Sequence, residues 1–480
     1  MSKETQHLKT EREGLKMKKK LLSTVLSIAM VASLAGCGSS SAPADTATGA
    51  AEPAATETTA AADTATADTA AEPVSGEDPQ AEKNLKILSI WAEDNDNGIL
   101  INKLCQQYKD EVNPNFTWEY EYVASADLTT KVSTLAASND LPDIFVYESG
   151  SPLTEMVEED KVVDITEVLK QYGCESYVTD AATALLSDLS NTPDIYDLPL
   201  GLNVEGFWYN KDLFKQAGVE VPNTWDEFET VLETLNTAGI QPLSCGAGDG
   251  WGATRLVNAY TVRTLGADAM KKAAAGEANY TDEGYVAAAA KMSEWAEKGY
   301  FGEGVNTVDM NTAGSMLCTG QAAIFYNGSW FVSNLNDESF NPGGNDAIGF
   351  FNIPVVDESV SSSTAYSMNC GNVLCFSKDK YDDATGWFIK YFVENMGNIA
   401  MSEQGAVKGF TYDVTGEVSP YTQLVLDEIG KASEGFTWYE ATMGSAVSSE
   451  AQANVKLLLS GEMSAQDYMQ SIQDVYDMTK

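Results

Sequence analysis

Histidine is nearly missing from this 480-residue chain; the only one is His7. Its absence beyond that point excludes histidine-based nucleophilic triads and the usual histidine-ligated zinc hydrolases. Basic residues are scarce as well: 29 Lys and Arg stand against 71 Asp and Glu, a formal net charge of -42. Such a surface repels phosphate, so no nucleic acid partner is expected. The cysteines show no CxxC spacing. Cys105, Cys174, Cys245, Cys318, Cys370 and Cys375 read as free, buried thiols, although spacing alone cannot choose among their pairings. Beyond residue 36 no apolar run approaches the ~20 residues that cross a bilayer. No cofactor motif is present, and no cofactor or metal is expected.

What is present begins with an export signal. Lys18, Lys19 and Lys20 form a basic region, and Leu21 to Ser33 is a short apolar run. Residues 1–16 are polar and precede a normal signal start at Met17, so translation is expected to begin there. Arg12-Glu13-Gly14 is consistent with a purine-rich ribosome-binding site read in frame. The stretch Leu34-Ala35-Gly36-Cys37 resembles the lipobox of bacterial lipoproteins. The resemblance implies a signal peptide over 1–36, cleavage before Cys37 and lipidation of its sulfur by palmitate-type acyl chains. The protein would then sit on the extracytoplasmic face of the cell membrane, as on a Gram-positive-type surface. An ordinary secretory signal with a cysteine nearby is the rival reading.

Residues 37–84 form an expected linker. They are rich in Ala, Thr, Ser, Gly and Pro, with acids and almost no bases. Such a composition cannot bury enough apolar surface to offset its ordering entropy. A random coil of ~45 residues would reach roughly 35–40 Å, more if its charges extend it.

From Leu85 onward, strands and helices alternate. Leu85–Trp91, Phe116–Val123 and Asp143–Tyr147 read as strands, with helices over about 99–111 and 127–138 between them. This order predicts an α/β architecture with a mostly parallel, buried sheet flanked by helices. Thr224-Trp225-Asp226-Glu227 forms a capping box ahead of an amphipathic helix bearing Phe228, Val231, Leu232 and Leu235. A further helix is marked by Tyr285, Ala289, Met292 and Ala296. Later strands are expected at 322–326, 348–354 and 372–377. Two helices close the chain, about 439–459 and 464–478, separated by Gly461.

Several segments together resemble the family 1 extracellular solute-binding proteins, relatives of maltose-binding protein that serve ABC importers. They are Leu141-Pro142-Asp143-Ile144-Phe145; Tyr196-Asp197-Leu198-Pro199-Leu200-Gly201; and Trp208-Tyr209-Asn210-Lys211-Asp212-Leu213-Phe214. Ala217-Gly218, Pro222 and Thr224-Trp225-Asp226-Glu227-Phe228 follow, then Gly320-Gln321-Ala322-Ala323-Ile324 and Gly328-Ser329-Trp330. Each motif is weak alone, and their order is specific. The likeness implies a two-lobed class II periplasmic-binding-protein fold with a ligand cleft between lobes. One lobe would hold 85–200 plus about 350–405, the other about 201–349 plus 406–480. It also implies a monomeric receptor that binds a small solute and delivers it to ABC permease subunits, without enzymatic activity.

A sugar ring offers an apolar face and a rim of hydroxyls, which aromatic rings and Asp, Glu or Asn match. Candidates lie at strand ends and the following loops, where open α/β sheets bind ligands. These are Trp91, Glu93, Asp94, Tyr147, Glu148, Asn203, Asp249, Trp251, Trp330 and Trp438. By the family resemblance, Trp251, Trp330 and Trp438 are the best stacking platforms. Trp225, Trp295 and Trp387 read as packing residues. Each candidate has a plain rival: core packing for the tryptophans, solvated loop acids for Glu93, Asp94 and Glu148, and a backbone-bonding hinge residue for Asn203.

Two apparent motifs fail. Residues 93–98 resemble half an EF-hand, but Leu104 stands where a bidentate acid is needed, so helix capping is the better reading. The glycine-rich loop 246–252 lacks Gly-Lys-Ser/Thr and is no P-loop; it reads as a turn that lets backbone approach a ligand. Carbohydrate, as an oligosaccharide, is the first ligand class. A polyamine or other organic cation is the rival, because acids with aromatics also make a cation cage. A secreted glycosidase with two carboxylates ~5–9.5 Å apart is the enzymatic alternative.

Overall fold

Two mixed sheets, each with its own apolar core, organise the protein in the computed structural model, which describes residues 79–413 and 418–480. The signal region and Cys37 lie outside the described residues, as does most of the expected linker. Its last residues do not: β1 spans Lys83–Ser89, two residues earlier than expected. Lys83 can start a strand because Asp143 and Asp382 take its ammonium at 3.3 and 3.0 Å.

The first sheet also holds β2 (Phe116–Tyr122), β3 (Ile144–Glu148), β4 (Asp197–Leu198) and β10 (Asn372–Phe376), in the order β2-β1-β3-β10-β4. β1 runs parallel to β2 and β3, as the alternation predicts. β10 returns late in the chain and pairs antiparallel with both β3 and β4, so the sheet is mixed. The second sheet contains β5 (Asn203–Asn210), β6 (Gln241–Ser244), β7 (Ala322–Gly328), β9 (Ala365–Asn369) and β11 (Glu434–Phe436), in the order β11-β9-β5-β7-β6. β8 (Ile348–Phe351) pairs with β5 off this path. Three of its pairings, all on β5, are antiparallel.

Sheet membership moves the expected lobe boundary. Residues 350–369 were assigned to the first lobe, yet β8 and β9 bond to β5, and Phe351 and Ala365 sit in the second core. The crossing back falls between Asn369 and Asn372. Residues 406–413 also shift, because Phe410 packs in the first core and Thr411 N donates to Tyr177 O.

Three crossings therefore join the lobes: β4 to β5, β9 to β10, and the segment after the helix Asp383–Gln404. They lie side by side, with Leu200 N on Cys370 O at 3.2 Å and Leu202 N on Val407 O at 3.0 Å. The lobes also touch away from the crossings. Ser151 N donates to Ala441 O, Leu189 packs with Trp438 and Ala441, and Lys271 pairs with Asp188.

Local signals explain the second core. The capping box at Thr224 and Glu227 starts the helix Trp225–Thr237. Trp225 and Trp295 stack at 5.7 Å inside that core, as packing residues. The penultimate helix begins at Ser445, not near Tyr439, because 439–444 turn toward the first lobe. All six cysteines named above are buried and unbonded to one another. Among the described residues no helix is long and apolar enough to cross a membrane.

Candidate functional site

A cavity of about 1360 Å³ lies between the lobes, bordered by residues of all three crossings. Seven of the sequence candidates line it: Trp91, Glu148, Asn203, Asp249, Trp251, Trp330 and Trp438. Trp91 follows β1, its backbone fixed by Ser89 Oγ and by the Tyr120 hydroxyl. Trp330 follows β7, where its ring lies across Gly328. A Cβ on that glycine would sit 2.0 Å from the ring, so only glycine admits the arrangement. Trp251 opens the helix Trp251–Leu265, with its ring centre 6.2 Å from that of Trp330.

Glu93, Asp94 and Tyr147 do not line the cavity. Glu93 and Asp94 are exposed on a turn closed by Asn95 N to Ala92 O, and they face solvent. Successive strand side chains point to opposite faces. With Glu148 in the cleft, Tyr147 must therefore enter the first core, where it is 1% exposed. The half EF-hand is a helix start instead. Asp96 pairs with Lys408, while Asn95 makes no side-chain cap. Among the described residues, no acid or cysteine cluster could hold a metal.

Three of the seven are held largely within the protein, and a fourth, Trp251, has Arg255 over its ring at 5.5 Å. Asn203 donates to Asn369 Oδ1 at 3.0 Å and accepts from Ser329 Oγ at 3.1 Å, tying two crossings together. Asp249 accepts from Met310 N at 2.8 Å. Trp438 is 9% exposed, covered by Leu189 and Ala441, with Arg255 over its ring. The glycine loop serves packing too: a Cβ on Gly246 would lie 2.3 Å from Met310 Sδ. Trp91, Trp251 and Trp330 remain as half-buried rings at the cavity wall.

The sequence reading missed the charged centre of the cleft. Arg255 Nη1 donates to Glu205, and Nε donates to Glu440 at 3.3 Å. Glu205 also accepts from Asn369 Nδ2 at 2.7 Å and from the Tyr326 hydroxyl at 3.3 Å; Thr254 donates to Glu440. Burial pushes the Glu440 carboxyl up, against the pull of Arg255. Glu148 is raised as well, by desolvation and then by Glu440. Its side chain is exposed to water inside the cleft, which protein walls on both sides. One signal pointed here: beyond residue 12 the chain has only two arginines, Arg255 and Arg263, both on one helix.

A family model described as "Bacterial extracellular solute-binding protein" matches residues 93–399. The chain belongs to that family. Its curated relatives include an uncharacterized ABC transporter extracellular-binding protein of Pyrococcus horikoshii, 23% identical over 53% of this chain and 58% of that one. Another is the alpha-glucosides-binding periplasmic protein AglE of Rhizobium meliloti, 23% identical over 39% of this chain and 42% of that one. The match thus spans little more than half of these relatives' length at most. Among solved structures, a chitin oligosaccharide binding protein aligns with a TM-score of 0.74 and 25% identity, over 83% of this chain and 98% of that one. The relatives are binding proteins by name, and the two-lobed solute-binding fold is shared.

Proposed function

We propose that this protein is an extracytoplasmic receptor that binds an uncharged oligosaccharide between its lobes and hands it to the permease of an ABC importer. The observation that carries the reading is the cleft itself. It combines rings at Trp91, Trp251 and Trp330 with polar groups from both lobes in a cavity of about 1360 Å³. Small-molecule pockets typically measure roughly 300–1,000 Å³, so this one has room for more than one sugar ring. Rings for the apolar faces and carboxylates for the hydroxyl rims are the chemistry a saccharide needs. Of the cations that line the cavity, Arg255 and Lys408 are each paired with an acid, and Lys456 donates to Gly248 O. The names of the relatives support carbohydrate and ABC transport. Binding between two lobes joined by crossings would favour a closed arrangement, which the permease could read.

The lipobox-like sequence at Cys37 supports a lipid anchor that would hold this receptor, taken as a monomer, beside its permease. Two acyl chains anchor firmly where one does not. A thermal-shift screen of the purified domain against neutral oligosaccharides and polyamines, with product analysis alongside, tests the reading. A raised Tm with an oligosaccharide and no turnover is expected. A shift with polyamines alone would replace the ligand class, and released product would restore the glycosidase.

A further inference from the structure

The second-lobe wall of the cleft contains what an organic-cation site requires: two aromatic faces, Trp251 and Trp438, and two carboxylates, Glu205 and Glu440. The protein itself occupies their common focus. The Arg255 guanidinium carbon lies 5.5 Å from the Trp251 ring centre and 5.4 Å from that of Trp438. Its Nη1 bonds Glu205 and its Nε bonds Glu440. Neither acid depends on arginine alone for position, since Asn369 and Tyr326 hold Glu205 and Thr254 holds Glu440. The Glu205 side chain is 0% exposed and that of Arg255 12%. Such shielding strengthens both the ion pairs and the cation–π contacts. Arg255 follows Trp251 by four residues on one helix, so guanidinium and ring share a face and are pre-organised.

We infer that Arg255 is a specificity determinant: the chain's own guanidinium fills a cation cage, closing it to organic cations and leaving the rest of the cleft to an uncharged ligand. Only the last clause rests on the carbohydrate reading; the cage stands on its own geometry. A tethered cation competes at an effective concentration of the order of mM, so free alkylguanidines at modest concentration do not displace it. Removing the arginine side chain should vacate a site of known shape, charge and aromatic walls.

The test is rescue by a small cation. Arg255→Ala leaves Glu205 buried without its partner and risks misfolding. A second variant, Arg255→Met with Glu205→Gln, is therefore measured beside it, since it removes the Arg255 and Glu205 charges together and keeps both rings and Glu440, which Thr254 still holds. Thermal unfolding is followed with methylguanidinium or agmatine, against matched sodium chloride. At about ten times its Kd, the cation should raise the Tm of at least one variant by roughly 2–4 °C and leave the wild type unmoved. Arg255→Ala folding only when methylguanidinium is present would be the same result in stronger form. If neither variant gains stability, or if the wild type gains as much, the cage does not exist and the inference falls. Oligosaccharides play no part in this readout, so its failure and the failure of the carbohydrate reading are separable.

Discussion

Two buried acids stand eight residues apart on the same crossing, one on each side of the hinge, and their surroundings differ. Asp197, at the first-lobe end, is 1% exposed, and neither carboxylate oxygen has a well-formed hydrogen bond. Glu205, at the second-lobe end, is 0% exposed and is met by Arg255, Asn369 and Tyr326. Burial pushes the Asp197 carboxyl up to about 7, against the weaker pull of the Ser149 hydroxyl and its own backbone N–H. The lesson extends to the cleft walls. The second lobe presents a wall fixed by ion pairs and by the tilted pair Trp251 and Trp330, whereas the first offers Trp91, Glu148 and a hydroxyl-lined helix face with Thr129, Thr130 and Ser133. Most of the binding free energy is therefore expected on the second lobe, with the first closing over it.

The largest expected effect breaks the paired side. Glu205→Ala leaves Arg255 and Glu440 with an incomplete network, and removing one partner of a buried pair costs about 3–5 kcal/mol. Urea unfolding should show that loss, and a change under 1 kcal/mol would mean the pair is not buried as described. The unpaired side should behave in the opposite sense. Below a pH near 3.8, Asp197 is protonated in both folded and unfolded chains. Between there and about 7 only the folded chain keeps the proton, so this group makes stability fall as pH rises across that window. Asp197→Asn should flatten that slope and, at pH 8, gain up to about 4 kcal/mol over the wild type. A variant that keeps the slope would show that another group causes it.

Ligand binding sharpens the same contrast. Trp330→Ala on the second lobe should weaken oligosaccharide binding by about 2 kcal/mol, roughly 30-fold in Kd by calorimetry. Trp91→Ala on the first lobe should cost about 1 kcal/mol, roughly fivefold. If Trp91 costs more than Trp330, the assignment of the dominant wall is reversed.

Local signals in the sequence reached the first sheet and the ring positions. Alternation marked β1 to β3, the Thr224–Glu227 pair marked a helix start, and Trp91, Trp251 and Trp330 stand where strand ends and a glycine loop put them. The charged centre was not legible, because its members meet across the chain. Arg255 lies 50 residues from Glu205 and 185 from Glu440. Nothing local to Glu205 distinguishes it from a solvated acid; only tertiary packing buries it. Tyr147 fails for a simpler reason, strand parity, which excludes it once Glu148 faces the cleft. The β8–β9 boundary is not legible because both strands are short and their partner, β5, lies about 140 residues before β8 and about 160 before β9.

The ligand class is decided by calorimetric titration of the wild-type domain with a neutral oligosaccharide and, separately, with spermidine. A saturable one-to-one heat is expected with the oligosaccharide and none with spermidine. Saturable binding of spermidine, with no heat from any oligosaccharide, would contradict it.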